Sequence, residues 1–250
     1  MNQQTTPLAG LEVTLTAHRD EKVSLLLASL TSADRGDALP KTPLKIAIVI
    51  DRSGSMSGEK LEITKSAVAQ FVRSLDPTDR VSLVTYDDQV DLVCGLEAPS
   101  EALARRIEAI RSGGSTDLYA GWVTGAKCVG SGGRVILLSD GLANQGRFTD
   151  ALSLSQHASV SYEKYNVTTT TIGVGRDYDE GLMAGMARAG GGAHYFAHTA
   201  SNITEAFSQE RYSAGSTVIE RVTARCNGVT EQIGHFWAAR PKSASSRCPA

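Results

Sequence analysis

The sequence has little of what marks several large functional classes. No apolar run approaches the roughly 20 residues that a membrane-spanning helix needs. The opening MNQQTTPLAG lacks a basic region followed by an apolar core, so no secretory leader is expected. A cytoplasmic chain follows as the expectation, with a secreted or surface form open if a leader has been removed. There are 4 cysteines, and Cys94, Cys128, Cys226 and Cys248 lack the paired spacing of a metal site. Cys94 and Cys128 fall beside apolar segments and read as buried thiols. Charge of one sign is also missing. A formal net charge of -2 gives no basic surface of the kind that nucleic acid requires. Histidine is absent from every polar motif described below. His18 falls in a polar turn, His157 inside a helical pattern, and His194 and His198 flank a short late strand.

What is present is organised around Leu44–Gly58, LKIAIVIDRSGSMSG. Leu44 to Ile50 is almost wholly apolar and rich in β-branched residues, which predicts a buried strand. It ends at Asp51. Asp51, Ser53 and Ser55 then alternate through a tight loop before a helical pattern begins. The carboxyl end of a strand that feeds a helix is where open α/β sheets bind ligands. Hard oxygen donors at such a place suit Mg²⁺.

Along the rest of the chain the period of the apolar residues switches repeatedly. Helices are predicted over Glu59–Leu75, from Pro99 to about Arg111, and over Asp117–Val129, Thr149–Tyr165, Tyr178–Ala189 and Ile203–Tyr212. Strands are predicted over Arg80–Tyr86, Val90–Val93, Arg134–Leu138, Val167–Val174 and Ala193–Ala197. The Val90 strand follows a short turn and should form an antiparallel edge. Such alternation predicts an α/β fold, a Rossmann-like open and mostly parallel sheet with helices on both faces. Ahead of it, Leu11–Ala17 and Val23–Thr31 read as a hairpin. Thr217–Ala224 reads as a returning strand that pairs with that hairpin in a small side sheet. The expected organisation is therefore a hairpin and linker over 1–42, the main domain over 43–213, the returning strand over 214–225, and a tail over 226–250 whose composition is that of a disordered segment.

Two further polar points fall at strand ends or helix starts. They are Thr116-Asp117, after the loop Ser112–Thr116 that reads as flexible, and Asp140-Gly141, after RVILLS. Each segment would deliver its residues to the same sheet edge as Asp51. Singly, each has a plain reading as a helix cap or a turn. Together they resemble a von Willebrand factor type A domain with a metal-ion-dependent adhesion site. The Asp-x-Ser-x-Ser pattern stands as Asp51-Arg52-Ser53-Gly54-Ser55, the threonine as Thr116 in GGSTDLYAG, and the later aspartate as Asp140 in VILLSDGLAN. Thr171–Ala197 is similar to bacterial members. The stretch from LLLASLTSAD to SGEKL resembles the subgroup of inter-alpha-trypsin-inhibitor heavy chains and calcium-activated chloride channel regulators. The likeness runs from about Leu44 to Ser213 and does not include the tail after Cys226.

The resemblance implies that Ser53, Ser55 and Thr116 offer hydroxyl oxygens to Mg²⁺, with Mn²⁺ or Ca²⁺ as alternatives. Asp51 and Asp140 would then bind directly or through waters. Neutral hydroxyls leave the ion poorly neutralised, so it should accept one more anionic oxygen. In the family that oxygen belongs to an Asp or Glu of a protein ligand. The expected function is metal-dependent protein–protein interaction, in adhesion or assembly, with neither nucleic acid nor membrane insertion. One alternative is a scaffolding domain whose metal is incidental. Another is a Mg²⁺-dependent phosphoryl-transfer enzyme, which would want a nucleophile, a general acid and more carboxylate at the ion. Here the positions two and four after Asp51 are serines, no histidine lies in a motif segment, Ser139-Asp140 offers no paired base, and Gly173-Val174-Gly175 lacks the third glycine of a nucleotide fingerprint. Asp117 is expected to cap the following helix, and Arg52 to point outward beside the site.

Overall fold

The structure is a computed structural model. It describes residues 2–8, 11–19, 24–32, 43–226 and 229–237, with side chains over 43–213. The chain divides into two units, 42–215 and a second made of both chain ends. In the second unit β1 (Asn2–Leu8), β2 (Leu11–Arg19) and β3 (Ser24–Ser32) form one antiparallel sheet. The β2–β3 pair is the expected hairpin, and β1 is an added strand.

The main unit begins with β4 (Lys45–Asp51) and continues through α1 (Glu59–Ser74), β5 (Arg80–Tyr86), β6 (Val90–Glu97), α2 (Glu101–Glu108), α3 (Leu118–Val129), β7 (Arg134–Ser139), α4 (Ala151–Tyr165), β8 (Thr168–Val174), α5 (Glu180–Ala189), β9 (Gly191–Ala197) and α6 (Ala200–Ser216). Its six strands lie in the order β6-β5-β4-β7-β8-β9. All neighbours are parallel except β6, which pairs antiparallel with β5 at the edge. This is the expected mixed, mostly parallel sheet, with the Leu44 strand inside it. β6 runs past its expected end at Val93 because irregular register along β5 carries the pairing on to Glu97.

The alternation along β4 explains why both faces are covered. Ile46, Ile48 and Ile50 join a core with Leu61, Val68, Phe71, Leu103, Ile107 and Phe207, from α1, α2 and α6. Ala47 and Val49 join the opposite core with Leu118, Trp122, Leu154, Leu182 and Met183, from α3, α4 and α5. A strand buried on both sides is largely apolar, and β4 is so from Ile46 to Ile50. The small residues Gly121 and Gly125 set how closely α3 approaches. A Cβ at Gly125 would lie 2.4 Å from Val49 Cγ2, and one at Gly121 2.4 Å from the Tyr86 ring. Asp117 caps α3 as expected, its Oδ1 accepting from Ala120 N at 2.9 Å.

Two expectations at the C-terminal side are corrected. β10 (Thr217–Cys226) pairs antiparallel with β11 (Val229–Trp237), in a sheet separate from β1–β3. The segment expected as tail over 226–250 thus contributes a strand, and 238–250 lies outside the described residues. The physical reason is local. Between the paired Cys226 and Val229 the sequence reads Asn-Gly, a dipeptide with strong hairpin propensity. In addition, 214–216 continues α6 rather than opening the returning strand.

Candidate metal centre

β4 is flanked by β5, which follows it through α1, and on the other side by β7. The chain therefore leaves the carboxyl end of β4 at a switch point of the sheet, where the flanking connections diverge and open a crevice. Asp51 is the last residue of β4 and is fully buried. Both flanking strands hold it. Ser139 Oγ, at the end of β7, donates to Asp51 Oδ2 at 2.6 Å. Tyr86 Oη, at the end of β5, donates to the same oxygen at 3.3 Å. The backbone N–H of Ser53 donates to Oδ1 at 2.8 Å.

Burial raises the Asp51 carboxyl above its ordinary range, against the hydrogen bonds from Ser139 and Ser53, and the charge of Asp140 adds to the rise. The Tyr86 phenol is pushed well up, by burial first and then by the Asp51 charge, so it remains a neutral donor. Among the described residues no lysine or arginine pairs with Asp51. Hydrogen bonds, with no ion pair among the described residues, hold this buried carboxylate, which makes its surroundings favourable to a cation.

The remaining four residues sit on loops tied to this point. Ser53 is buried and Ser55 exposed, and their hydroxyl oxygens are 3.2 Å apart. Gly54 N donates to Gly114 O at 2.9 Å, and Gly113 N to Arg52 O at 2.7 Å. These two bonds fasten the Asp51 loop to the loop that carries Thr116, which is itself buried. Asn144 reaches Thr116 from the third loop. Its Oδ1 accepts from Thr116 N at 3.0 Å, and its N donates to Thr116 O at 3.3 Å. Asp140, just beyond β7, is fully buried. Its Oδ2 lies 3.1 Å from Lys60 Nζ, and its Oδ1 accepts from Leu142 N at 3.4 Å.

The loop Ser112–Thr116, read from sequence as flexible, is held closely. A Cβ at Gly113 would meet Asp87 Oδ2 at 1.7 Å, and one at Gly114 would meet Asp88 Oδ1 at 2.4 Å. The glycines serve close approach to the turn after β5. Asp87 is the centre of that approach. It accepts from Arg52 Nε at 3.1 Å, Gln89 N at 2.8 Å and Gly114 N at 3.4 Å. Burial works to raise its carboxyl, but the bonds from Gln89 and Arg52 outweigh that and hold it below the usual carboxylate range. Arg52 pairs with both Asp87 and Asp91, so it braces the loops rather than standing free.

Lys60, Tyr86, Asp87, Ser139 and Asn144 were not found by sequence reasoning. A polar residue ending an apolar strand, as Tyr86 and Ser139 do, is the signal that could have marked two of them. Among the described residues no three His, Cys, Asp or Glu side chains gather as a metal cluster. The candidate set is of another kind, three hydroxyls and two carboxylates. No catalytic motif is evident there either. His194 is engaged elsewhere, by Thr171 Oγ1 at 2.9 Å and Tyr178 Oη at 3.0 Å. His157 packs against Tyr119 and Phe148.

Comparison with known proteins agrees with this architecture. An uncharacterized protein, sll0103, of Synechocystis is 28% identical over 192 residues, 74% of this chain and 44% of its own length. The human inter-alpha-trypsin inhibitor heavy chain H3 is 28% identical over 124 residues, 43% of this chain and 14% of its own. The chain thus spans less than half the length of either relative. The solved structure of proximal thread matrix protein 1 from the mussel byssus, with a zinc-occupied MIDAS motif, superposes with a TM-score of 0.55. It has 20% identity and covers 68% of this chain and 45% of its own. The family model for the von Willebrand factor type A domain matches residues 45–210, from the first residue of β4 to within α6, and the chain belongs to that family of protein-interaction domains.

Proposed function

We propose that the domain binds a protein partner through a divalent cation held at the edge formed by Asp51, Ser53, Ser55, Thr116 and Asp140. The observation that carries this reading is Asp51, a carboxylate buried between two strands with hydrogen bonds but, among the described residues, no cationic partner. Ser53, Ser55 and Thr116 would offer neutral oxygens, and Asp51 and Asp140 the negative charge. Such a set fits a hard ion that keeps part of its water shell, Mg²⁺ first and Mn²⁺ or Ca²⁺ next. Bound there, the ion would supply an open Lewis-acidic position for a carboxylate of the partner. The exposure of Ser55 beside buried Ser53 gives that position an outward face. Support also comes from the mussel matrix protein, whose MIDAS motif holds zinc.

The chain's own residues have distinct tasks in this reading. Ser139 and Tyr86 orient Asp51, and Asp87 and Asn144 hold the Thr116 loop against the other two. Isothermal titration of Mg²⁺ and Mn²⁺ into wild type and Asp51→Ala tests the site, and capture of partners with and without Mg²⁺ tests its use. Saturable binding lost in Asp51→Ala is the expected result. Equal binding by both proteins would remove this edge as the metal centre.

A further inference from the structure

Lys60 stands in the first turn of α1, where the helix dipole disfavours a positive charge. Its ammonium nevertheless turns to the sheet edge and lies 3.1 Å from the fully buried Oδ2 of Asp140. The stem has a prepared path. Gly175 follows β8 with φ +89°, and a Cβ there would lie 2.5 Å from Lys60 Cε. So a left-handed glycine after one strand clears the way for a lysine from a helix to reach a carboxylate after another.

We propose that Lys60 is a resident cation of the site. It lowers the affinity for a divalent ion, and once an ion is bound it strengthens the hold on an external carboxylate. This rests on the metal-centre reading above. The argument is one of charge. Asp51 and Asp140 as carboxylates carry two negative charges, and Lys60 returns one positive. A divalent ion added to the two carboxylates alone would leave the site neutral. With Lys60 the loaded site keeps one positive charge, in a place buried enough for charges to act strongly. The ammonium also satisfies Asp140, so an arriving ion gains less from that carboxylate than from an unpaired one.

The test uses the whole chain as wild type, Lys60→Met, Lys60→Gln and Lys60→Arg. Gln keeps a donor to Asp140 if the Met variant fails to fold, and circular dichroism reports folding in each case. Mg²⁺ affinity is read by isothermal titration. Acetate is then titrated into Mn²⁺-loaded protein, with water-proton relaxation reporting displacement of bound water. Met and Gln should bind Mg²⁺ tighter by about tenfold or more and acetate more weakly, while Arg stays near wild type. Unchanged or weaker Mg²⁺ binding in both neutral variants overturns the role of Lys60 but leaves the metal centre standing. Absence of Mg²⁺ binding in all four proteins overturns both. Binding by the neutral variants alone supports Lys60 as the occupant that keeps the ion out.

Discussion

Ser139→Ala isolates how the core holds the site. The Ser139 hydroxyl donates to Asp51 Oδ2 at 2.6 Å and accepts from Gly141 N at 2.8 Å, and both bonds are buried. The substitution leaves no large cavity, so its cost is polar. Losing a hydrogen bond to a charged acceptor costs about 1.5–3 kcal/mol, and a buried N–H left without a partner costs about 1–3 kcal/mol. Asp51 keeps its bonds from Ser53 and Tyr86, so the first contribution should fall toward the low end of its range. A loss of about 2.5–4.5 kcal/mol is therefore expected, or roughly 5–18 °C in Tm for a unit of this size. Urea unfolding followed by circular dichroism at 222 nm suits the measurement, because the six described α-helices all lie within 59–216. The same change should cost clearly less in an Asp51→Ala background, where the charged acceptor is gone. A loss below about 0.5 kcal/mol, or an equal loss in both backgrounds, would refute the account of Asp51 as a carboxylate clamped by its neighbouring strands.

Gly125→Ala should destabilise by about 1–3 kcal/mol despite its better helix propensity, because its Cβ meets Val49 in a packed core. Gly95→Ala, with nothing within 4 Å of its Cβ, is the comparison, and equal unfolding midpoints for the two would contradict the packing argument. His194 has its pKa lowered by burial, with the charge of Glu180 opposing, so the unfolded chain takes up its proton first. Stability from this group is full above its ordinary value near 6.5 and is lost as pH falls below it. Between pH 7.5 and 5.5 the Tm of His194→Gln should therefore drop less than that of wild type.

The fold was legible because its signals were periodic and local. The strand Arg80–Tyr86 could be bounded from its own residues, because apolar and β-branched side chains fill most of it. Asp117 as a cap was legible for the same reason, since its partner is three residues away. What escaped notice depends on contacts across the sheet. Ser139 and Tyr86 look like ordinary strand ends until β4 places Asp51 between them. Gly113 and Gly114 resemble a flexible linker until the Asp87 turn is packed against them. Lys60 reads as one more charge on a helix, because its partner lies 80 positions away. β11 was missed for another reason. Its Asn227-Gly228 signal is local, but the polar composition around it is that of a tail.

The way each residue is held also separates two kinds of strength in the site. Asp51 is fixed by side chains from β5 and β7, strands whose places are set by apolar packing on both faces. Thr116 is fixed by bonds with Asn144 and Gln145, and its loop by the backbone bonds of Gly113 and Gly114 to the Asp51 loop. Binding energy at such an edge need not be spent on ordering the carboxylate, because folding has already ordered it. What an incoming ion meets is a charge balance set by two buried carboxylates and one lysine. Affinity there should respond to changes of charge at Lys60 and Asp140 more than to changes of loop length or composition. The partner's affinity should respond to the charge at Lys60 and, in addition, to exposed loop residues such as Ser55 and Leu142. A substitution at Leu142 that weakens partner capture while leaving Mg²⁺ titration unchanged would separate the two. Parallel losses in both would show instead that loops and ion bind as a single unit.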